Sequence, residues 1–212
     1  VTLIDISQTL RPGIPVWPGD TPYTDEATWM MGANCPVNVS KISMSTHTGA
    51  HADAPLHYRA DGVDSAACNL DPYLGPCRVI DARGAGPILT QTFMGAALGS
   101  LPPRLLFRTY ETFPHDVWRS DWTAIDPGLI THLATRGVRL IGIDGPSLDP
   151  QNSKTMDAHQ AVAAADMAIL EGLVLDHAPP GDYELIALPL KLSGLDASPV
   201  RAVLRPLRTV TE

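Results

Sequence analysis

The 212-residue sequence predicts an α/β domain built on a mixed central sheet, and three observations carry that expectation. A series of β-rich runs is bounded by turn formers, a well-marked helix joins two of them, and no linker, charge block, repeat or low-complexity stretch divides the chain. At roughly 150 residues per domain, a single domain over residues 1–212 follows.

In chain order, residues 2–6 form a first strand, and Gly and Pro then crowd into 11–22 as a long ordered loop. Strands are expected at 39–45, 77–82 and 104–109, with a weaker helix at 91–98. The best helix is 126–136. Asp126 suits the N-cap, Pro127 sits where a missing N–H costs nothing, Leu129, Ile130, Leu133 and Ala134 share a face, and Gly137 ends it. It leads into a strand at 139–144 and so reads as a βαβ crossover. A second helix begins near Asp157 and runs through the alanine-rich 158–170, followed by strands at 183–192 and 201–207.

Composition excludes several classes of function. Hydrophobic residues make up 44% and charged residues 18%, as in a folded protein, and the net charge of −8 repels a phosphate backbone and an anionic leaflet, so neither nucleic acid nor membrane is an expected partner. The N-terminal VTLIDISQTL lacks the features of a signal peptide, and the uncharged stretch between Arg83 and Arg104 is broken by Gly and Pro. Cys35, Cys68 and Cys77 are unpatterned, which suits buried reduced thiols, and a cytoplasmic location is expected.

The chemistry concentrates in HTGAHADAPLH, which holds His47, His51 and His57 of the seven histidines together with Asp53. Imidazole and carboxylate suit zinc and similar divalent ions, and without nearby cysteine a catalytic site is favoured over a structural one. Fully extended, His47 and His51 would stand roughly 13 Å apart, so the segment must turn to share one ion. Gly49 permits the turn, Pro55 forbids a continuous helix, and a short extended piece would put His51 and Asp53 on one face. A hydrogen-bonded polar loop is the alternative. His57 is either a general acid/base, since imidazole titrates near neutrality, or a support for the site.

His159 falls in the first turn of the second helix and Glu171 twelve positions later, about 120° around an ideal helix, so the pair shares a site only if the helix ends before Glu171 and turns it inward. Gly172 allows that. His115 and His132 read as surface or packed residues, and His177 is a weaker metal candidate. Trp17, in VWPGD, either packs its loop or stacks on an aryl substrate; Trp29, Trp118 and Trp122 read as packing residues.

HTGAHADAPLHY resembles the HxGTHxDxPxH signature of the cyclase-like metal-dependent hydrolases, and VWPGDTP, IDGPSLDP and LPLKLSGLDASPVRAVL extend the likeness over the whole chain, toward the bacterial kynurenine formamidases in particular. The resemblance implies a swivelling β/β/α fold, usually a homodimer, and hydrolysis of N-formyl-L-kynurenine to formate and L-kynurenine. It implies two zinc ions, with manganese or another divalent ion as substitutes. His47, His51 and Asp53 would bind the first, Asp53 and Glu171 would bridge, and His159 would bind the second. His57 would transfer the proton, and Trp17 would contact substrate. Ala50 departs from the signature's threonine, which changes a hydrogen bond near the ligands but removes no ligand. Two rivals remain: a related hydrolase acting on another amide or a ring such as isatin, and a non-catalytic domain stabilised by metal. No GxxxxGK[ST], strand-following GxGxxG or GxSxG supports nucleotide-dependent or serine-hydrolase chemistry.

Overall fold

A computed structural model describes residues 3–95 and 99–207. Thr2 of the first expected strand and residues 96–98 of the weak helix lie outside them. The elements run β1 (Ile4–Asp5), β2 (Thr24–Trp29), β3 (Val39–Ser43), β4 (His51–Asp53), β5 (Leu74–Asp81), β6 (Ile88–Leu89), α1 (Gln91–Met94), β7 (Arg104–Arg108) and β8 (Ala124–Ile125). They continue with α2 (Pro127–Thr135), β9 (Leu140–Ile143), α3 (Asp157–Ala164), β10 (Ala168–Glu171), β11 (Gly181–Ile186), β12 (Ala197–Pro199) and β13 (Val203–Pro206).

Nine strands form one curled mixed sheet in the order β1-β13-β11-β5-β7-β9-β10-β4-β12. The central run β5-β7-β9-β10 is parallel, and the flanking pairs are antiparallel. Alternation along the buried strands sorts the core into two layers. Leu105, Phe107, Ile141, Ile143 and Ile169 face α2 and α3. Leu106, Leu140 and Leu170 face the other way and meet Leu185 and Leu204, so the curl closes one face of the sheet on itself.

Helix α2 forms as its sequence dictates. The Asp126 side chain accepts from the Leu129 N–H, Pro127 opens the helix, and Leu129, Ile130 and Leu133 are buried. It connects the parallel neighbours β7 and β9, as a crossover should. The expectation of a helix through residue 170 is corrected. Helix α3 ends at Ala164, Asp166 takes a positive φ of 51°, and the following apolar run becomes β10, buried between β9 and β4. Alanine favours helix locally, but four consecutive buried positions between two strands are satisfied only by a sheet ladder.

Other differences are smaller. β11 stops at Ile186, short of the expected residue 192, before the exposed Leu188 and Leu190. The hairpin β2–β3 is exposed throughout, and Trp29, expected to pack, is 57% exposed on it. Cys77 is buried, whereas Cys35 and Cys68 are half-buried; all three are free. No helix among the described residues is long and apolar enough to cross a membrane.

Candidate metal centre

The histidine segment turns where the chain must let it. Gly49 has φ +68°, and a Cβ there would lie 2.8 Å from Leu10 Cδ2. Immediately beyond, β4 carries His51 and Asp53 on one face, which is the extended piece expected from their spacing. β10 runs antiparallel beside it, with Glu171 in register with His51. Gly172 then turns the chain at φ +64°, so close to Gly49 that a Cβ would lie 2.4 Å from the Gly49 carbonyl oxygen. Glu171 is thereby presented from a strand end, the inward turn that its distance from His159 demanded.

Six of the seven candidate residues surround one point. His51 Nε2 lies 3.4 Å from both Asp53 Oδ1 and Glu171 Oε2. His159 Nε2 lies 3.3 Å from Asp53 Oδ2 and 3.5 Å from Glu171 Oε1. His47 Nδ1 approaches Asp53 Oδ1 to 3.2 Å, and a ring nitrogen of His57 groups within 4.8 Å of donors on Asp53 and His159. The seventh, Trp17, lines a cavity of about 310 Å³ together with His47, His57 and Glu171. It stacks edge-to-face on Trp118 and Trp122, with centroids 5.5 and 5.7 Å away. Of the remaining histidines, His115 and His177 are exposed and His132 is half-buried on α2.

The donor set fits divalent cations. His51 Nε2 and Asp53 Oδ1 are buried and lack a hydrogen-bond partner, a costly state for two polar atoms that point at each other. Their opposite ends are satisfied. His51 Nδ1 donates to the Gly49 carbonyl at 3.0 Å, and Asp53 Oδ2 accepts from His159 Nε2 at 3.3 Å; the Leu148 N–H likewise donates to Glu171 Oε1 at 2.7 Å. Two carboxylates with histidine on either side can offset the charge of more than one ion.

Electrostatics point the same way. Burial disfavours the His159 imidazolium, yet Asp149, Asp53 and Glu171 outweigh it and push the pKa up to about 10. For His47, burial is likewise overcome by Asp53 and Asp196, giving about 9. Burial would raise the Asp53 carboxyl, but His159, His47 and His51 hold it well below the usual range. Positive charge is wanted at this point, and protons supply it where cations otherwise would.

Two residues were missed in the sequence. Asp149, in the IDGPSLDP loop, accepts from His159 Nδ1 at 2.6 Å and from the N–H groups of Ala158 and His159, fixing both the ring and the start of α3. Its acid-before-helix position was the available signal. Asp196 accepts from His47 Nε2 at 3.1 Å and His57 Nδ1 at 3.2 Å, and nothing local in LSGLDASP marks it.

Comparison with known proteins agrees with this architecture. The family model Cyclase ("Putative cyclase") matches residues 4–150, which span the histidine segment and most of the sheet. The chain belongs to the Cyclase family. It is similar to a solved "potential metal-dependent hydrolase with cyclase activity", at 27% identity over 96% of both chains and a TM-score of 0.81. It is also similar to isatin hydrolase A from Labrenzia aggregata, at 26% identity over 96% of this chain and 93% of that one, with a TM-score of 0.82. Isatin hydrolase A from Ralstonia solanacearum matches at 25% identity, covering 96% and 91%, with a TM-score of 0.82.

Proposed function

We propose that this member of the Cyclase family is a metal-dependent arylformamidase that hydrolyses N-formyl-L-kynurenine to L-kynurenine and formate. The observation that carries the metal-dependent hydrolase reading is the convergence of His47, His51, Asp53, His159 and Glu171 around two orphaned buried atoms, with His57 beside them. The substrate assignment rests on the resemblance of HTGAHADAPLHY and VWPGDTP to kynurenine formamidases, supported by the aromatic cavity at Trp17.

In this reading His47, His51 and Asp53 would hold a first zinc ion and His159 a second, with Asp53 and Glu171 as ligands shared by both; manganese or another divalent ion could substitute. Bound ions of this kind supply Lewis acidity and lower the pKa of water. The chain's own residues do the rest. His57 takes a proton from the attacking water and returns it to the aniline nitrogen as the C–N bond breaks, so that formate and the free amine leave. Its Nδ1 is engaged by Asp196, leaving Nε2 for the transfer. Trp17 lies against the aryl ring at the cavity wall, where it also keeps bulk water from the reacting carbonyl.

The partner chain is a second copy. The exposed β2–β3 hairpin pairs Trp29 with Val39 and continues from Trp29 into Met30 and Met31, exposed apolar side chains that a homodimer would cover. Three free thiols suit a cytoplasmic enzyme.

Supplying zinc-loaded protein with N-formyl-L-kynurenine, formanilide and isatin in parallel tests the assignment. Faster turnover of N-formyl-L-kynurenine, abolished by chelation and restored by metal, is expected. Ring opening of isatin without hydrolysis of either formamide would transfer the protein to the second reading, which the similarity to isatin hydrolases at 25–26% identity supports. Retention of metal with no turnover of any amide would favour a metal-stabilised domain.

A further inference from the structure

We infer that Asp196 is a positioning residue that sets the ring tautomers of His47 and His57 at once, tying the outermost candidate ligand to the proton-transfer group. The inference rests on the proposed role of His57. One oxygen makes both contacts: Asp196 Oδ2 is 3.1 Å from His47 Nε2 and 3.2 Å from His57 Nδ1. The other oxygen, Oδ1, accepts from Thr46 Oγ1 at 3.1 Å.

The backbone locks this carboxylate in place. The Asp196 carbonyl accepts from the Ala54 N–H at 2.9 Å, and the next residue, Ala197, pairs with Asp53 across the β4–β12 ladder. Asp196 therefore moves with the strand that carries His51 and Asp53, although its side chain is 42% exposed. Exposure leaves it with modest strength as an ion pair. Its value is directional.

A neutral imidazole carries one N–H, and a carboxylate accepts but never donates. Both rings must therefore present their N–H to Asp196. His57 becomes protonated at Nδ1, which frees the Nε2 lone pair to receive a proton. His47 shares a proton at Nδ1 with Asp53, 3.2 Å away, and where a cation replaces that proton Asp196 keeps the remaining N–H at Nε2, leaving the Nδ1 lone pair to the ion. The ring centroids of the two histidines are 4.3 Å apart, so one carboxylate serves both without a second acceptor. The partner bonded to one nitrogen decides what the other nitrogen can do.

The test compares zinc-loaded wild type with Asp196→Asn, Asp196→Glu and Thr46→Val, each checked for fold by circular dichroism and for metal by elemental analysis. Two-bond ¹H–¹⁵N correlation of the imidazole rings reports the tautomers independently of turnover. Asp196→Asn should shift His57 away from its Nδ1–H form and lower kcat for N-formyl-L-kynurenine about 100-fold at saturating zinc, with KM within about twofold. Asp196→Glu should recover part of that loss, and Thr46→Val, which only loosens the carboxylate and keeps the fold if Asp196→Asn does not, should cost kcat about threefold. An unchanged His57 tautomer with kcat within threefold in Asp196→Asn overturns the inference. A third zinc equivalent held by wild type and lost in Asp196→Asn also overturns it, by making Asp196 a ligand. If wild type turns over no formamide, the formamidase reading fails and the ring spectra alone decide the role of Asp196.

Discussion

The inner and outer halves of the metal centre are built by different means. His51, Asp53, His159 and Glu171 are each at most 2% exposed and are fixed by strands β4 and β10 and the first turn of α3. His47 and His57 stand at the rim, with side chains 21% and 28% exposed, and a shared carboxylate orients them. Buried strands and a helix turn, each with its own hydrogen bond to the side chain, hold the inner donors, whereas one part-exposed carboxylate holds the outer pair. The difference separates the tasks: changes to the inner half, and to His47 as a ligand at the rim, should cost metal, and changes to His57 should cost rate.

The largest effect is expected from Asp53→Ala. Removing the carboxylate that lies against His47, His51 and His159 alike should strip bound metal and lower turnover by on the order of 10³-fold or more, measured by elemental analysis beside kinetics. Retained metal would break the division between the halves. His57→Ala should lower kcat by about 10²–10⁴-fold while metal content stays at the wild-type level. Loss of metal in that variant would put His57 among the inner donors.

Stability should track the inner half as well. Gly172→Ala adds a Cβ 2.4 Å from the Gly49 carbonyl at φ +64°, and should cost about 3 kcal/mol, read as a fall in Tm of about 10 °C. An equal Tm would show that the two turns can part without loss.

The metal-free protein has its own pH signature. His159 and His47 titrate at about 10 and about 9 in the folded chain, above the ordinary imidazole value of 6.5. A folded-state pKa above the unfolded one gives stability that is complete below pH 6.5 and is lost as pH rises through 9 to 10. Chelated protein should therefore melt at a lower temperature at pH 10 than at pH 6.5, by on the order of 5 °C, and added zinc should flatten the dependence by replacing those protons. A flat profile without metal would mean that the cluster rearranges when stripped. The smallest effect belongs to Trp17→Ala, where loss of about 1 kcal/mol of aromatic contact should raise KM about fivefold with metal unchanged.

The sequence exposed the inner half unevenly. His51 and Asp53 were legible because their spacing of two requires only a short extended piece, and Gly49 advertised the turn before it. Glu171 was harder, since AVAAADMAILEG reads as helix by propensity; only burial between β9 and β4 makes its second half a strand, and burial is a tertiary fact. Helix α2 was plain because Asp126, Pro127 and Gly137 are local signals. Asp196 lies inside the LPLKLSGLDASPVRAVL motif, but its role was not legible because it stands 149 residues from His47 and is brought to it by the edge strand β12. Strand β2, the other half of the hairpin begun by the expected β3, was passed over for a related reason: TDEATW is too polar to pattern as a strand and is held by its ladder alone.

The back-to-back fit of Gly49 and Gly172 bears on how the protein matures. His159 and Asp53 are 106 residues apart, and the turn at Gly49 meets the end of β10 only where β4 and β10 pair across that separation. Ions would then be captured late, by a chain already committed to its topology, and the rate of metal uptake during refolding would serve as a clock for the closing of the sheet.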